Sequence, residues 1–224
     1  MMQRFDTPAA ISAVLDIPAG RIQIIAADRT DTTVEILPTD AGKSRDVTAA
    51  ERVVVTFDDN VLRVQAAEPA RRILGSSGSV EVTVQLPAGS RVEAEAASVE
   101  FRGVGRLGDV TFDGAEGVVK LDETAQARLT LQSGDITVGR LGGPGQISTQ
   151  RGDLTVAEAV AGTVTLRTEQ GNITIGAARD SSATLDAGTT YGRVRNELRN
   201  TDGAAAGLNI HATTAYGDIA ARSL

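Results

Sequence analysis

A short motif recurs along the second half of the chain and constrains the fold more than any other feature. It consists of a Thr or small residue, a short variable stretch, a Gly, commonly an Asp or Asn, and then an apolar residue. The clearest copies are T-L-Q-S-G-D-I-T-V from Thr130, T-Q-R-G-D-L-T-V from Thr149 and T-E-Q-G-N-I-T-I from Thr168. The glycine recurs after 17, 18, 19, 21 and 25 residues, at Gly117, Gly134, Gly152, Gly171, Gly192 and Gly217. Such spacing predicts units that are each stacked on the next one along the chain.

Each repeat unit has room for two short strands. A strand residue advances the chain by about 3.3 Å, so about 18 residues hold two strands of four or five residues and two turns. Apolar residues alternate with Thr, as at Ile136 and Val138 and again at Leu154 and Val156. A period of two places the apolar side chains inside and the Thr side chains outside. The sequence therefore predicts an all-β fold, a parallel β-solenoid with two-strand coils of about 17 to 21 residues.

The Gly-Asp pair of the motif is typical of a sharp corner between two strands. Glycine adopts positive φ without a Cβ clash, and an adjacent Asp or Asn can accept a hydrogen bond from a neighbouring backbone N–H. We therefore interpret the recurring pair as turn-forming. The predicted turn residues are Gly134, Asp135, Gly152, Asp153, Gly171, Asn172, Gly192, Gly217 and Asp218.

The first ninety residues carry different turn signals. Pro-Ala-Gly occurs at Pro18–Gly20 and again at Pro87–Gly89, each time between alternating runs, and this pattern fits a hairpin turn. Asp59-Asn60 predicts a further turn between two strands, and a helical turn is expected around Arg45 to Ala50. We expect residues 1–90 to form hairpins that extend or cap the solenoid.

The repeat coils then occupy residues 91–224, and the whole chain, 1–224, is predicted to be one domain. A capping end is needed because a bare solenoid end exposes unpaired strand edges.

Composition argues against several kinds of chemistry. The chain has no Cys and its one His is His211, so zinc sites built from several His or Cys ligands are excluded, and no cofactor is expected. A net charge of −7 argues against nucleic-acid binding, and the only basic pair noted is Arg71-Arg72. No apolar run approaches about 18 residues and no signal-like run opens the sequence, so we expect no membrane span and a cytoplasmic location.

The acidic turn residues could carry chemistry in two ways. Asp135 and Asp153 on adjacent coils would lie about 5 Å apart, close to the carboxyl separation of retaining glycosidases. Stacked carboxylates could also supply oxygen ligands to a calcium ion. Turn formation accounts better for the preceding glycine and for Asn172 at the equivalent position. We therefore predict no catalytic residues and no metal site.

The residue before each anchor glycine defines a candidate binding surface. If these positions share one outward ladder, its members are Ser133, Arg151, Gln170, Tyr191 and Tyr216. Tyr offers contact area at a low entropy cost and is favoured at protein interfaces. Tyr191 and Tyr216, with Arg151, are therefore the predicted binding residues, and ordinary packing at the C-terminal end is the alternative.

The repeat, the L-P-A-G turn at Leu86–Gly89 and the segment Leu107–Val110 resemble a known bacterial family. It comprises strand-repeat domains of unknown function labelled "putative adhesin", or toastrack domains, and the resemblance covers roughly residues 10–222. It implies a right-handed β-helix-like solenoid, a link to cell-envelope stress or surface processes, and no catalytic residues.

We therefore expect a non-enzymatic scaffold or interaction protein that binds a protein partner or a second copy of itself. The alternative is a carbohydrate-binding adhesin or a polysaccharide-active β-helix.

Overall fold

The computed structural model describes residues 2–66 and 78–224 and shows an all-β architecture. Within these ranges the strands are interrupted by one helix, α1 (Ser44–Glu51), and by a 3₁₀ turn at Gly203–Ala205. In the described residues the strands are β1 Met2–Asp6, β2 Ser12–Asp16, β3 Ala19–Ala27, β4 Asp31–Pro38, β5 Val53–Asp58, β6 Val61–Ala66, β7 Val80–Pro87, β8 Arg91–Ser133, β9 Ile136–Leu141, β10 Gly145–Arg151, β11 Leu154–Ala159, β12 Gly162–Arg167, β13 Ile173–Ala177, β14 Ala183–Tyr191, β15 Val194–Glu197, β16 Leu208–Tyr216 and β17 Ile219–Ser223.

The strands stack in parallel on two faces. On the first face β10 lies between β8 and β12, with Gly145 opposite Ala127 and Val164. On the second face β11 lies between β9 and β13, with Leu154 opposite Ile136 and Ile173. The long strand β8 continues through several corners with its backbone still paired, and it contributes to both faces. These pairings confirm the predicted parallel solenoid of two-strand coils.

The core is the space between the two faces. Because successive side chains of a strand point to opposite sides, the apolar positions of each coil face inward and form ladders. Leu129, Ile147, Val164 and Ile210 are all buried on the first face. Aromatic rings enter the core early in the solenoid, where Phe101 and Phe112 approach to 5.0 Å between ring centroids.

The Pro-Ala-Gly segments are corners of the solenoid, so the predicted hairpin turns at Pro18–Gly20 and Pro87–Gly89 are wrong. Strands β2 and β3 both pair in parallel with β8, and the pairings of β2 and β3 in the described residues do not join them to each other. Strand β7 likewise pairs with β3 and β4, whereas β8 begins beside β2. Positive φ at Gly20 (133°) and Gly89 (79°) therefore serves a turn from one face to the other.

Antiparallel strands close the N-terminal end of the solenoid. Strands β5 and β6 form the predicted hairpin at Asp59-Asn60, where both residues have positive φ, 48° and 60°. Strand β4 runs antiparallel to β1 and β7, and α1 confirms the helical turn expected around residues 45–50. Arg71-Arg72 lies outside the described residues.

The coils do not stack in the order of the sequence at the C-terminal end. Strand β16 lies between β12 and β14, with Leu208 opposite both Gly162 and Ala183. Strand β17 in the same way lies between β13 and β15. The last coil of the chain is therefore inserted beneath the preceding one, which corrects the expected stacking of each unit on the next. We call the outer coil, formed by β14 and β15, the terminal coil.

Candidate functional site

The corner glycines lie against the backbone of the neighbouring coil. A Cβ on Gly152 would lie 2.1 Å from the carbonyl oxygen of Gly134, and one on Gly171 would lie 1.9 Å from that of Gly152. A Cβ on Gly217 would likewise meet the carbonyl oxygen of Gly171, and one on Gly192 would meet that of Gly217. These contacts follow the spatial order of the coils, in which the last coil of the chain lies between the two before it. Glycine is required here because the coils approach more closely than a side chain allows.

The Asp or Asn that follows Gly134, Gly152, Gly171 and Gly217 connects its coil to the neighbouring one. The Asp135 carboxylate accepts the backbone N–H of Asp153 at 2.8 Å, and the Asp153 carboxylate accepts that of Asn172 at 2.7 Å. The Asn172 side-chain oxygen accepts the N–H of Asp218 at 2.9 Å, and Asp218 accepts that of Arg193 at 2.8 Å. In the described residues this series of hydrogen bonds ends at Arg193 on the terminal coil. No further coil of the described residues lies beyond it, so an Asp or Asn at this position would have no backbone N–H to accept.

A threonine three residues before the glycine adds a second hydrogen bond between the same two coils. The Thr168 hydroxyl donates to the Gly152 carbonyl at 3.1 Å, and the Thr214 hydroxyl donates to that of Gly171 at 3.0 Å. The recurring motif therefore supplies hydrogen bonds between neighbouring coils.

In the described part of the chain, no group of three or more His, Asp or Glu side chains is arranged to hold a metal ion.

One outward ladder collects the predicted binding residues. Arg151 lies opposite Ser133 and Gln170, Gln170 lies opposite Tyr216, and Tyr216 lies opposite Tyr191. The spatial order is thus Ser133, Arg151, Gln170, Tyr216 and Tyr191, with the two tyrosines exchanged relative to the sequence. We call these five residues the tyrosine column.

The two tyrosines form a flat aromatic surface at the end of this column. Their rings are stacked, with centroids 4.9 Å apart and planes inclined by 7°. Tyr191 is 64% exposed and Tyr216 is 55% exposed, so the rings contact each other while most of their surface faces solvent. The structure therefore brings Tyr191 and Tyr216 together. Arg151 lies two strands away from Tyr216, about 10 Å along the ladder.

The remaining polar features lie apart from the tyrosine column. His211 is exposed on the first face, and its Nδ1 lies 3.3 Å from the Asp186 carboxylate of the terminal coil.

No helix in the described residues is long and apolar enough to cross a bilayer. Sequence reasoning found every member of the column but not its spatial order, because the order depends on the insertion of the last coil.

Comparison with known proteins relates most of the chain to one family. The model of the Toastrack DUF4097 family matches residues 73–222. A search of curated proteins found no match to the chain.

Solved structures that are similar to the chain come from several bacteria. They include a "putative cell adhesion protein" from Clostridium sporogenes, 10% identical, covering 100% of this chain and 99% of that one with a TM-score of 0.40. A "putative adhesin" from Parabacteroides merdae is 12% identical and covers 99% and 95% with a TM-score of 0.45. A "putative lipid binding protein" from Parabacteroides distasonis is 9% identical and covers 98% and 96% with a TM-score of 0.46.

Proposed function

The chain belongs to the Toastrack DUF4097 family, and we propose that it is a non-enzymatic interaction protein that binds a protein partner through the tyrosine column. The observation that carries this proposal is the stacked, exposed pair of Tyr191 and Tyr216. Tyr and Arg are among the residues that supply most of the binding energy at protein interfaces. A flat pair of phenol rings offers apolar contact area together with two hydroxyl groups that can donate and accept hydrogen bonds.

The scaffold beneath the tyrosine column supports binding because it is preorganised in the free protein. Hydrogen bonds from the Asn172 N–H to the Asp153 carboxylate and from the Thr168 hydroxyl to the Gly152 carbonyl hold each coil to its neighbour beside the column. Stacking also restrains the two tyrosine rings before any partner arrives. A surface with few rotamers to order loses less entropy on association, so the same contacts give a higher affinity.

The polar residues of the tyrosine column suit a partner surface that presents polar or acidic groups beside apolar ones. Arg151 and Gln170 lie on the same ladder as the rings and are exposed. No ion pair within the described residues involves Arg151, so its guanidinium can meet an acidic or carbonyl group of a partner. As the family resemblance implies, we place this scaffold function in cell-envelope or surface processes. The cytoplasmic location expected from the sequence stays a prediction that cell fractionation can test.

The carbohydrate alternative depends on the carboxylates of Asp135 and Asp153. Each of them accepts a backbone N–H of the next coil, and these contacts support a role in the turns. We therefore propose a protein as the partner rather than a glycan.

A cross-linked pull-down from the native cells, read by mass spectrometry, tests the proposal. The tagged wild-type protein is compared with Tyr191→Ala/Tyr216→Ala and with Val54→Ala as a matched control. Val54 is also 55% exposed, but it lies on β5 at the other end of the solenoid.

We expect one partner to be recovered with wild type and with the control, and to be lost with the tyrosine variant while its melting temperature is unchanged. Equal recovery from all three proteins, or no partner with wild type, would contradict the proposal.

A further inference from the structure

The two faces of the solenoid have unequal numbers of strands at the N-terminal end. Beyond β8 the first face continues with β2, β6 and β5, and the second face continues with β3, β7, β4 and β1. Strands β5 and β4 lie at the same level, because they pair with β6 and β7, which pair in turn with β2 and β3 of one coil. Within the described residues the first face is therefore one strand shorter than the second, and β5 is its edge.

The backbone groups along the edge of β5 are open. The Asn60 carbonyl accepts the Ser12 N–H at 3.0 Å, so residue 60 directs its carbonyl toward β2. Successive residues of a strand alternate in direction, so every second residue of β6 faces β2 and the others bond to β5. Val53, Val55 and Phe57 lie opposite the residues that face β2, and their N–H and C=O groups therefore point away from β6. In the described part of the chain no hydrogen bond satisfies these groups.

The composition of β5 does not protect this edge. Free edges are usually blunted by short length, Pro, Lys or a bulge, whereas β5 has six residues, V-V-V-T-F-D, in unbroken register with β6. Apolar side chains also lie beside the edge. Val55, Phe57 and Phe5 are only partly buried although they pack against the core, and the two rings are 5.2 Å apart between β5 and β1. A further strand beside β5 would cover them.

We propose that β5 binds an extended segment of another polypeptide, which pairs antiparallel with it and adds a strand to the first face opposite β1. Main-chain hydrogen bonds supply the affinity of such strand addition, and alternate side chains supply its specificity. Antiparallel pairing is slightly more stable per residue than parallel pairing. A second copy of the chain does not fit by pairing β5 with β5, because β1 of each copy extends one strand further on the second face and would meet the other β1.

The residues of β5 define the chemistry of the segment. The side chains of Val53, Val55 and Phe57 face the core, so the three residues opposite them are apolar and those between are polar. Asp58 ends β5 and Arg52 precedes it, and both are exposed and make no ion pair within the described residues. Opposite charges across a strand pair are stabilising, so the segment carries a basic residue before its apolar ones and an acidic residue after them.

A capped, fluorescein-labelled peptide K-V-T-V-T-V-E has this pattern and serves as the probe, with its binding to the full chain followed by fluorescence anisotropy. In the proposed pairing the N–H groups of its valines face β5 and those of its threonines face solvent. We expect N-methylation of the central valine to weaken binding by about tenfold or more, because it removes a backbone bond and places a methyl group against β5. N-methylation of the threonine that follows is the matched control and should leave the affinity within about threefold of the parent peptide.

A variant of β5 tests the same bond from the side of the protein. Val55→Pro removes an N–H from the open edge while the bonds between β5 and β6 remain, and Pro is tolerated at such edge positions. We expect this variant to bind the probe about tenfold more weakly than wild type. The N-methyl peptides are measured on the wild-type protein, so their result does not depend on how well the variant folds.

A wild-type chain that does not bind the probe would overturn the proposal, and so would equal effects of the two N-methyl groups. Tyr191→Ala/Tyr216→Ala should bind the probe as wild type does. The β5 edge and the tyrosine column can therefore fail separately.

Discussion

Gly152 lies at a corner where the coils approach too closely for a side chain. An added Cβ would be 2.1 Å from the Gly134 carbonyl oxygen and 2.5 Å from its carbon, and φ is 143°. Cβ atoms essentially never come within 3.0 Å of such atoms, so Gly152→Ala must separate the two coils by roughly 0.9 Å (3.0 − 2.1). That displacement also strains the bond from the Thr149 hydroxyl to the Gly134 carbonyl, which joins the same two coils.

Both effects of the alanine act in the same direction. A non-glycine residue in this backbone region costs about 1–3 kcal/mol, and a weakened hydrogen bond between coils costs about 1 kcal/mol. We therefore expect Gly152→Ala to lower the free energy of unfolding by about 3 kcal/mol. For a chain of this size, that loss lowers the melting temperature by about 6–12 °C.

Gly188 provides the matched control, because nothing lies within 4 Å of a Cβ built on it and it is exposed on β14. Gly188→Ala adds the same methyl group to the same protein and should leave stability within about 0.5 kcal/mol of wild type. The assay is thermal and urea unfolding followed by far-UV circular dichroism. If the two alanine variants were equally stable, the close approach of the coils would be refuted as the reason for the glycine.

Two further predictions concern the polar contacts. Asp153→Ala removes the acceptor of the Asn172 N–H and should cost about 1 kcal/mol in urea unfolding, whereas Asp153→Asn should keep most of the stability; equal losses would contradict the assigned bond. The hydrogen bond from Arg29 holds the pKa of Asp31 below its ordinary value, so the stability from this pair is present at neutral pH and is lost as the pH falls through the folded-state pKa. Arg29→Gln should raise the pKa of Asp31 in an NMR titration of its carboxyl carbon, and an unchanged titration would show that Arg29 is not the cause.

Local features of the fold could be predicted because they depend on residues close in sequence. Alternation at Ile136 and Val138 sets the inward face, and the glycine at Gly152 marks a corner, whatever the rest of the chain does. The hairpin at Asp59-Asn60 was predictable for the same reason, since a two-residue turn with positive φ at both positions fixes the pairing of its flanking strands.

Pairing over long distances was not predictable from the same signals. The corner at Pro18–Gly20 has the composition of a hairpin turn, but its two strands pair with β8, which is distant in sequence. The insertion of β16 between β12 and β14 likewise leaves no periodic signature, because an inserted coil and an outer coil have the same alternation. The members of the tyrosine column followed from the repeat, whereas their order followed from this insertion.

Position-specific photo-cross-linking tests the tyrosine column as a protein-binding surface most directly. A benzophenone side chain is introduced at Arg151 or Gln170 in the column, and at Thr155 or Thr174 on the second face of the same coils. These positions share coils and differ in the direction that they face. We predict that irradiation in native cells gives one adduct of the same mass from the two column positions and no adduct from the two threonine positions. Adducts from the threonine positions alone, or equally from all four, would contradict the account.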